Sequence, residues 1–447
     1  MTVQTDCWGN DWTAKDAETV RLFETTVLKY LAMRVDVGDS LKAVFVRDPE
    51  MPIAHMAKAA FLKMFALSAM DSRAAKSVAT ARTLLEQGDG GTEQEKQHLI
   101  AIDKWVSGDM RGAIAVWQRL LLTCPRDVLA SKFAHFNLFY LGDADGMRQT
   151  MARLLHAWKD DDPGYGFMLG NYAFTLEETG AYDRAEAAGR KAVEIDPADI
   201  WAAHAVAHVC EMQARPEDGA ALLDSLSDNW SDIHNFRFHA EWHRALFFVE
   251  LEDYDGALAY YDNRVWTEES DDYLDVSNGV ALLWRLENEG IDVGDRWSAL
   301  ADKAAGRIHD HRLLFADLHY LMALIRTDRM ALASEMRDSM AAYTSDAEET
   351  QASITDCVGI PVADALFDIA AGRPGRALER LLPVRNSFFM IGGSRAQRDL
   401  FDRLTVTAAV AEGRADIARS LIAERLDYRP NQRWSRAILQ ALDAELA

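Results

Sequence analysis

Two histidines and a glutamate recur at helical spacing on one stretch of the chain. Starting at Ile200, the side chains separated by three, four and three positions are Trp201, His204, His208 and Glu211. Residues spaced in this way share one face of an α-helix. Two imidazoles and a carboxylate on one face can bind a metal ion or transfer a proton. The sequence therefore predicts that one face of this helix can bind a metal ion or transfer a proton, and we call these four residues the histidine stripe.

A divalent transition metal is the first ligand that the stripe could take. His204, His208 and Glu211 would offer two nitrogens and one carboxylate. The fourth ligand would come from a histidine on another helix, namely His239, His243 or His319. The pattern is not the zincin motif, because Ala205 stands where His-Glu-x-x-His has its catalytic glutamate.

Acid–base catalysis without a metal is the second possibility. Histidine is the side chain that titrates nearest to neutral pH, and Glu211 or Asp317 beside an imidazole would complete a proton-transfer pair. In a hydrolase or lyase of this type, the catalytic residues would be His208, Glu211, His239 and His319.

A purely structural role is the third possibility. Buried histidines in helical proteins commonly satisfy a neighbouring carboxylate or carbonyl and fix the packing of helices. Trp201 and Trp242 can likewise fill a core or stack on a ligand. Packing, a ligand-binding groove and a metal or catalytic site therefore remain open alternatives.

Other motifs do not indicate a nucleotide cofactor or a serine nucleophile. The chain has no Gly-x-x-x-x-Gly-Lys-Ser/Thr loop. The segment Gly392-Gly393-Ser394 lacks the second glycine of a nucleophile elbow and predicts a sharp turn before a helix that opens near Arg398. Arg398 could bind an anionic substrate group there, or pair with a carboxylate of the preceding repeat.

A repeated pattern predicts the helices that carry these residues. Gly-x-x-x-x-Ala is followed by Pro twelve residues after the alanine in three places: Gly108, Ala113 and Pro125; Gly180, Ala185 and Pro197; Gly413, Ala418 and Pro430. Equal offsets of this kind indicate one turn between two packed helices, and they resemble the 34-residue tetratricopeptide repeat (TPR) consensus. Repeat units are predicted to begin near Gln94, Val128, Gly166, Ile200, Phe238, Val358 and Asp399.

Composition and charge narrow the class of partner. Hydrophobic residues make up 49% of the chain, and the formal net charge is −23. A surface of that sign repels phosphate backbones and anionic lipids, so we expect no nucleic-acid or membrane partner. The start of the sequence has no apolar leader segment and the four cysteines are far apart, which favours a cytoplasmic protein without disulfides.

Several strings resemble the tetratricopeptide repeat protein 38 family, over essentially the whole chain. They include Asp6-Cys7-Trp8-Gly9-Asn10, the segment 204–212, the segment 238–246, Leu282-Leu283-Trp284-Arg285-Leu286 and the segment 392–399. One departure is Arg395, where the family often has a histidine. The resemblance implies an all-α, TPR-like architecture and implies no particular reaction.

The resemblance to TPR proteins also implies which side chains face the groove. The second, fifth, ninth and twelfth residues of a unit line the concave surface of such arrays, and counting from Ile200 returns the histidine stripe. The same count from Phe238 adds His239 and Trp242, with His243 at the margin. The predicted ligand-binding set is Trp201, His204, Trp242, His243, Asp317 and Arg398.

The sequence therefore predicts an all-α, TPR-like helix-turn-helix solenoid, a right-handed superhelix with a concave central groove or pocket. One solenoid over 1–447 would have divergent repeats in 1–93, clear repeats in 94–275 and divergent ones again in 276–447. The predicted function is binding of a small molecule or peptide in the groove, with the enzyme as the alternative. A homo-oligomer is possible.

Overall fold

The predicted fold class is confirmed. A computed structural model describes residues 2–88, 90–267, 270–345 and 348–444. Within these residues the chain is an array of helices joined by short turns, of the TPR-like helix-turn-helix type. None of the described helices is both long and apolar enough to cross a lipid bilayer.

The chain forms two compact units. The first comprises Met1–Ala205, Asp228–Phe236 and Ala347–Thr350, and the second comprises Val206–Ser227, Arg237–Asp346 and Gln351–Ala447. The boundary falls within the helix Ile200–Met212, so that His204 belongs to the first unit and His208 to the second.

Among its described residues, the first unit has two short strands, followed by ten α-helices and the start of an eleventh. The strands are β1 (Thr2–Thr5) and β2 (Asp11–Ala14). The helices are α1 (Ala17–Leu31), α2 (Val37–Arg47), α3 (Pro52–Met64), α4 (Asp71–Gln87), α5 (Glu93–Val106), α6 (Met110–Thr123), α7 (Val128–Tyr140), α8 (Ala144–Leu155), α9 (Tyr165–Glu178), α10 (Tyr182–Ile195) and α11 (Ile200–Met212).

The second unit holds the end of α11 and the helices that follow. They are α12 (Pro216–Leu226), α13 (Phe236–Glu250), α14 (Tyr254–Tyr260), α15 (Tyr273–Asn288), α16 (Trp297–Ala305), α17 (Leu314–Arg326), α18 (Met330–Tyr343), α19 (Thr350–Ile354), α20 (Ile360–Ala370), α21 (Pro374–Leu381), α22 (Arg395–Ala411), α23 (Ala415–Tyr428) and α24 (Arg433–Ala444). Phe236 and Thr350, the first residues of α13 and α19, belong to the first unit.

The repeated Gly-x-x-x-x-Ala pattern has a conformational explanation. Gly108, Gly180 and Gly413 have φ values of 91°, 78° and 73°, in the left-handed region that a Cβ atom disfavours. The alanine five residues later is fully buried in all three repeats, at Ala113, Ala185 and Ala418. A turn that needs glycine and a helix contact that needs a small side chain therefore explain the spacing.

The helix starts also follow the predicted repeat units. Helices begin at Glu93, Val128, Tyr165, Ile200 and Phe236, within two residues of the predicted positions. The last predicted unit corresponds to α22, which begins at Arg395 and not at the predicted Asp399. The earlier start is explained by a capping box that Ser394 and Gln397 form.

A β-hairpin at the start of the chain is an element that the sequence analysis did not predict. β1 and β2 pair antiparallel, with Thr2 opposite Ala14. Asp6 holds the connection, since its carboxylate accepts hydrogen bonds from the backbone N–H of Trp8 at 2.9 Å and from Nε1 of Trp12 at 2.8 Å. Gly9 completes the turn with φ at 87°. This geometry accounts for the string Asp6-Cys7-Trp8-Gly9-Asn10.

Close helix packing predicts opposite effects of alanine at two helical glycines. A Cβ atom at buried Gly219 would overlap the ring of Phe247 and lie 3.0 Å from Cβ of Cys210. We expect Gly219→Ala to lower the free energy of unfolding by about 1–3 kcal/mol through overpacking. Gly38 in α2 has nothing within 4 Å, so Gly38→Ala should raise that free energy by up to about 1 kcal/mol. Urea unfolding curves measure both changes, and equal effects of the two substitutions would contradict this explanation.

Candidate functional site

The helix α11 positions the predicted stripe and buries it. Oδ1 of Asp199 accepts a hydrogen bond from the backbone N–H of Ala202 at 3.0 Å, which caps the start of the helix. The imidazoles of His204 and His208 are both buried, as is the carboxyl group of Glu211. The stripe therefore lies inside the packed protein, where unpaired charge is costly.

Three histidines of the second unit come together as an imidazole cluster, formed by His208, His239 and His243. Each offers a ring nitrogen, and these nitrogens lie within 4.8 Å of one another. The ring centre of His243 is 4.4 Å from that of His208 and 4.8 Å from that of His239. The i, i+4 spacing of His239 and His243 on α13 puts both on one face, towards His208 on α11. Tertiary structure thus brings together three of the predicted histidines.

Polar groups outside the imidazole cluster hold two of its rings in place. Nδ1 of His243 donates to Oε2 of Glu211 at 3.2 Å, and Nδ1 of His239 donates to Oδ1 of Asn278 on α15 at 2.9 Å. A neutral ring that carries its proton on Nδ1 carries its lone pair on Nε2. The two acceptors therefore select the tautomer in which Nε2 is the basic nitrogen.

Burial keeps these imidazoles neutral at physiological pH. Burial lowers the pKa of His239 to about 3, although its hydrogen bond to Asn278 acts in the opposite direction. The pKa of His243 is also well below its usual value, because of burial first and then of neighbouring His208. Neutral imidazole is the form that binds a metal ion.

Glu211 connects the imidazole cluster to buried arginines. Its Oε1 accepts a hydrogen bond from Nη2 of Arg429 at 3.2 Å, while Oε2 bonds His243. Both carboxylate oxygens are therefore engaged by side chains. This arrangement suits a carboxylate that orients a histidine. The predicted use of Glu211 as a direct metal ligand stays a prediction.

An arginine cluster surrounds Asp399 in the same unit; its members are Arg285, Arg403, Arg425 and Arg429. Asp399 accepts hydrogen bonds from Arg403 at 2.7 Å, Arg425 at 2.6 Å and Arg429 at 3.2 Å. Burial alone would raise the pKa of Asp399, but these guanidinium groups outweigh it and hold the pKa well below its usual range.

Arg285 is the member of the arginine cluster that lies against the aromatic wall of the site. Its guanidinium is 5.6 Å from the ring centre of Trp242, which stacks on His239 with centres 5.3 Å apart. It donates to the carbonyl of Ala396 at 2.9 Å, whereas its distance to Asp399 is 4.0 Å. Burial and then Arg403 lower its pKa to about 10. Arg285 is therefore the least completely neutralised of these arginines.

His319 and Asp317, both on α17, have different surroundings. Nδ1 of His319 donates to the carbonyl of Phe315 at 2.7 Å, and burial lowers its pKa to about 4. Asp317 accepts a hydrogen bond from Nδ1 of His311 at 3.1 Å. The predicted pairing of Asp317 with an imidazole therefore exists, but with His311, which the sequence analysis did not assign to the site.

Arg398 supports the turn that precedes α22. Its guanidinium donates to the carbonyl of Gly393, in a buried position. Gly393 itself has φ at 78°. This contact gives Arg398 a local structural role, and the predicted binding of an anionic ligand by Arg398 stays a prediction.

Trp201 and His204 lie in an aromatic cluster of the first unit. The imidazole of His204 stacks on Phe174 with centres 5.6 Å apart, and it contacts Trp201 at 5.4 Å and Phe236 at 5.1 Å. The predicted metal role of His204 stays a prediction.

Sequence reasoning missed Asn278, Arg285, Asp399 and Arg429. Their spacing carries no motif, because they come from α15, from α22 and from the residue that follows α23, far apart in the chain. One signal was available: Arg285 and Asp399 both lie within the strings that resemble the tetratricopeptide repeat protein 38 family.

Comparison with known proteins gives distant structural similarities. No family model matches the chain. It is similar to a human IFIT1 dimer with PPP-AAAA, at 11% identity, covering 97% of this chain and 96% of that chain with a TM-score of 0.43. The human IFIT1 dimer with m7Gppp-AAAA is 12% identical, and the match covers 97% of this chain and 96% of that chain with a TM-score of 0.41. The TPR domain of P58(IPK) is 13% identical, and the match covers 79% of this chain and 98% of that chain with a TM-score of 0.23. Likeness at this level assigns no ligand or reaction to the present chain.

The expectation that nucleic acid is excluded as a partner needs correction. The structures similar to the chain include IFIT1 with PPP-AAAA and m7Gppp-AAAA, which are nucleic acids, and this contradicts the exclusion. The physical reason is that net charge averages over a whole surface and says nothing of a local basic group.

The lowered pKa of His319 predicts a pH-dependent stability. A base whose pKa is about 4 when folded and about 6.5 when unfolded contributes stability that is present above pH 6.5 and lost as pH falls towards 4. We expect His319→Gln to reduce the loss of unfolding free energy between pH 7.5 and pH 5 by up to about 2 kcal/mol. Urea unfolding at both pH values measures this difference. His309→Gln is the control, because the side chain of His309 is 62% exposed; equal pH dependence in His319→Gln and the unmodified protein would contradict the assignment.

Proposed function

We propose that this TPR-like protein binds a small ligand through the imidazole cluster, and that the ligand is a divalent transition metal of the zinc class held by His208, His239 and His243. The observation that carries the proposal is the meeting of three buried ring nitrogens within 4.8 Å of one another. Zinc–nitrogen bonds of about 2.0–2.1 Å at tetrahedral angles place ligand nitrogens about 3.3–3.4 Å apart, so the three rings need to approach one another by at most about 1.5 Å to bind one ion.

The groups behind the histidines support a metal more than simple packing. Metal-ligating histidines usually donate their second ring N–H to a carboxylate or carbonyl, which fixes the ring and raises its basicity. Glu211 accepts from His243 and Asn278 accepts from His239 in this way. Arg429 in turn donates a hydrogen bond to Glu211 and so holds the carboxylate that orients His243.

An enzymatic role is the second candidate, of the hydrolase or lyase type. Three protein ligands leave one position of a tetrahedral metal for water or substrate, which is typical of catalytic zinc. Arg285, stacked near Trp242 and incompletely neutralised by Asp399, would hold an anionic substrate group beside that position. Membership in the tetratricopeptide repeat protein 38 family, binding of a peptide, and a homo-oligomer stay predictions.

Metal titration tests the proposal directly. We expect the purified protein, stripped with a chelator, to bind one equivalent of Zn²⁺ or Co²⁺, and tetrahedral Co²⁺ bound to imidazole to give a visible absorption band. His208→Ala and His243→Ala should abolish that binding, and Glu211→Gln should weaken it by about 10–100-fold because a neutral amide oxygen is a weaker acceptor than a carboxylate for the ring N–H of His243.

The control for this titration is His309→Ala, which removes an exposed histidine paired with Glu335 and should leave metal binding unchanged. Circular dichroism establishes that each variant is folded. The proposal fails if the folded, unmodified protein binds no metal at micromolar concentration, or if the cluster variants bind as tightly as the control.

A further inference from the structure

A buried lysine in the first unit lies among aromatic rings. Lys132 on α7 is 2% exposed, and its Nζ is 4.6 Å from the ring centre of Trp201 and 4.8 Å from that of Phe136. Nζ donates to Oδ1 of Asn171 on α9 at 2.7 Å. The acceptor is a neutral amide, so this hydrogen bond does not neutralise an ammonium charge. A buried lysine ordinarily needs a bonded carboxylate to remain charged.

Several polar atoms around Lys132 have no hydrogen-bond partner among the described residues. They are both ring nitrogens of His135, Oδ2 of Asp199 and Nε1 of Trp201. All three side chains are at least nine-tenths buried, and His135 follows Lys132 by one turn of α7. Polar groups in a core that serves packing alone are nearly always satisfied, because leaving one unsatisfied costs about 1–3 kcal/mol. A concentration of such groups beside one amine indicates a place for a ligand.

The pKa values of Lys132 and of the groups that face it support a reactive, unprotonated amine. Burial lowers the pKa of Lys132 to about 7, with Asp199 acting in the opposite direction. Burial and then the charge of Lys132 hold the pKa of His135 well below its usual value, and burial raises the pKa of Asp199 to about 7. Burial also lowers the pKa of His234, which faces the same lysine, to about 4. The amine is therefore substantially unprotonated at neutral pH, which is the nucleophilic form of lysine.

We propose that Lys132 is a nucleophilic lysine that forms an imine with a small carbonyl compound carrying a carboxylate, with His135 as the proton-transfer group. The free amine of Lys132 adds to the carbonyl carbon, so that a C–N bond forms as the C=O π electrons move to oxygen. One proton passes from the nitrogen through His135 to that oxygen and gives a neutral carbinolamine. The second amine proton follows the same route as the C–O bond breaks, so that water leaves and the C=N bond forms. The N–H groups of Trp201 and His135 supply the donors that a carboxylate needs.

Reductive trapping tests the proposal and is independent of the metal site. The full-length protein is treated at pH 7 with glyoxylate and cyanoborohydride, which reduces an imine to a stable secondary amine, and the modified lysines are mapped by peptide mass spectrometry. We expect Lys132 to be modified at least about tenfold faster than the exposed residues Lys15, Lys42 and Lys76, because a buried lysine amine that is partly deprotonated is the better nucleophile. Propanal, which lacks the carboxylate, should react with Lys132 more slowly than glyoxylate does.

Matched variants complete the experiment. Lys132→Arg keeps the charge and should remove the modification, while Lys58→Arg, at the lysine beside Phe45, should leave the modification of Lys132 unchanged. His135→Asn should slow trapping without removing it. If Lys132→Arg does not fold, mapping of the unmodified sequence still decides the question. Modification of Lys132 no faster than that of the exposed lysines, or none at all, would overturn the proposal.

Discussion

The carboxylate of Glu211 is the point at which two buried networks of the second unit meet. One oxygen accepts from His243 and the other from Arg429, which also bonds Asp399. Removing Glu211 would take from Arg429 one of its carboxylate partners and from His243 the acceptor of its Nδ1–H, and a buried charge that loses a partner destabilises far more than a lost surface pair. The orientation of His243 and part of the neutralisation of Arg429 therefore depend on the same side chain.

Desolvation has opposite consequences for bases and for carboxyl groups, and both are visible in this protein. It keeps His239 and His319 neutral, which makes their ring nitrogens available as ligands or bases. In the first unit the same effect lowers the pKa of Lys132 and raises that of Asp199. Asp399 escapes this trend because arginines bond it directly. The protonation state of each buried group therefore depends on whether an oppositely charged side chain bonds it directly.

The net charge of the chain does not describe how charge is distributed within the protein. A net charge of −23 describes an acidic surface, yet the interior of the second unit holds four arginines around one aspartate. These side chains are buried, so they contribute little to the long-range field on which the exclusion of nucleic acid depended. Statements about partners need the local arrangement of charge.

The sequence by itself determined the helical repeats, because their signals are local. Gly108, Gly180 and Gly413 mark turns that need positive φ, and the alanines that follow mark close helix contacts. It also determined that His204, His208 and Glu211 share a helix face, since helical spacing alone decides that. Only the tertiary structure decided that His239 and His243 join His208, that Glu211 is occupied by Arg429, and that Lys132 lies among Asn171, Trp201 and His135. Apart from His135, which follows Lys132 by one turn of the same helix, those neighbours are distant in the chain, and contacts between separate helices leave no periodic pattern in the sequence.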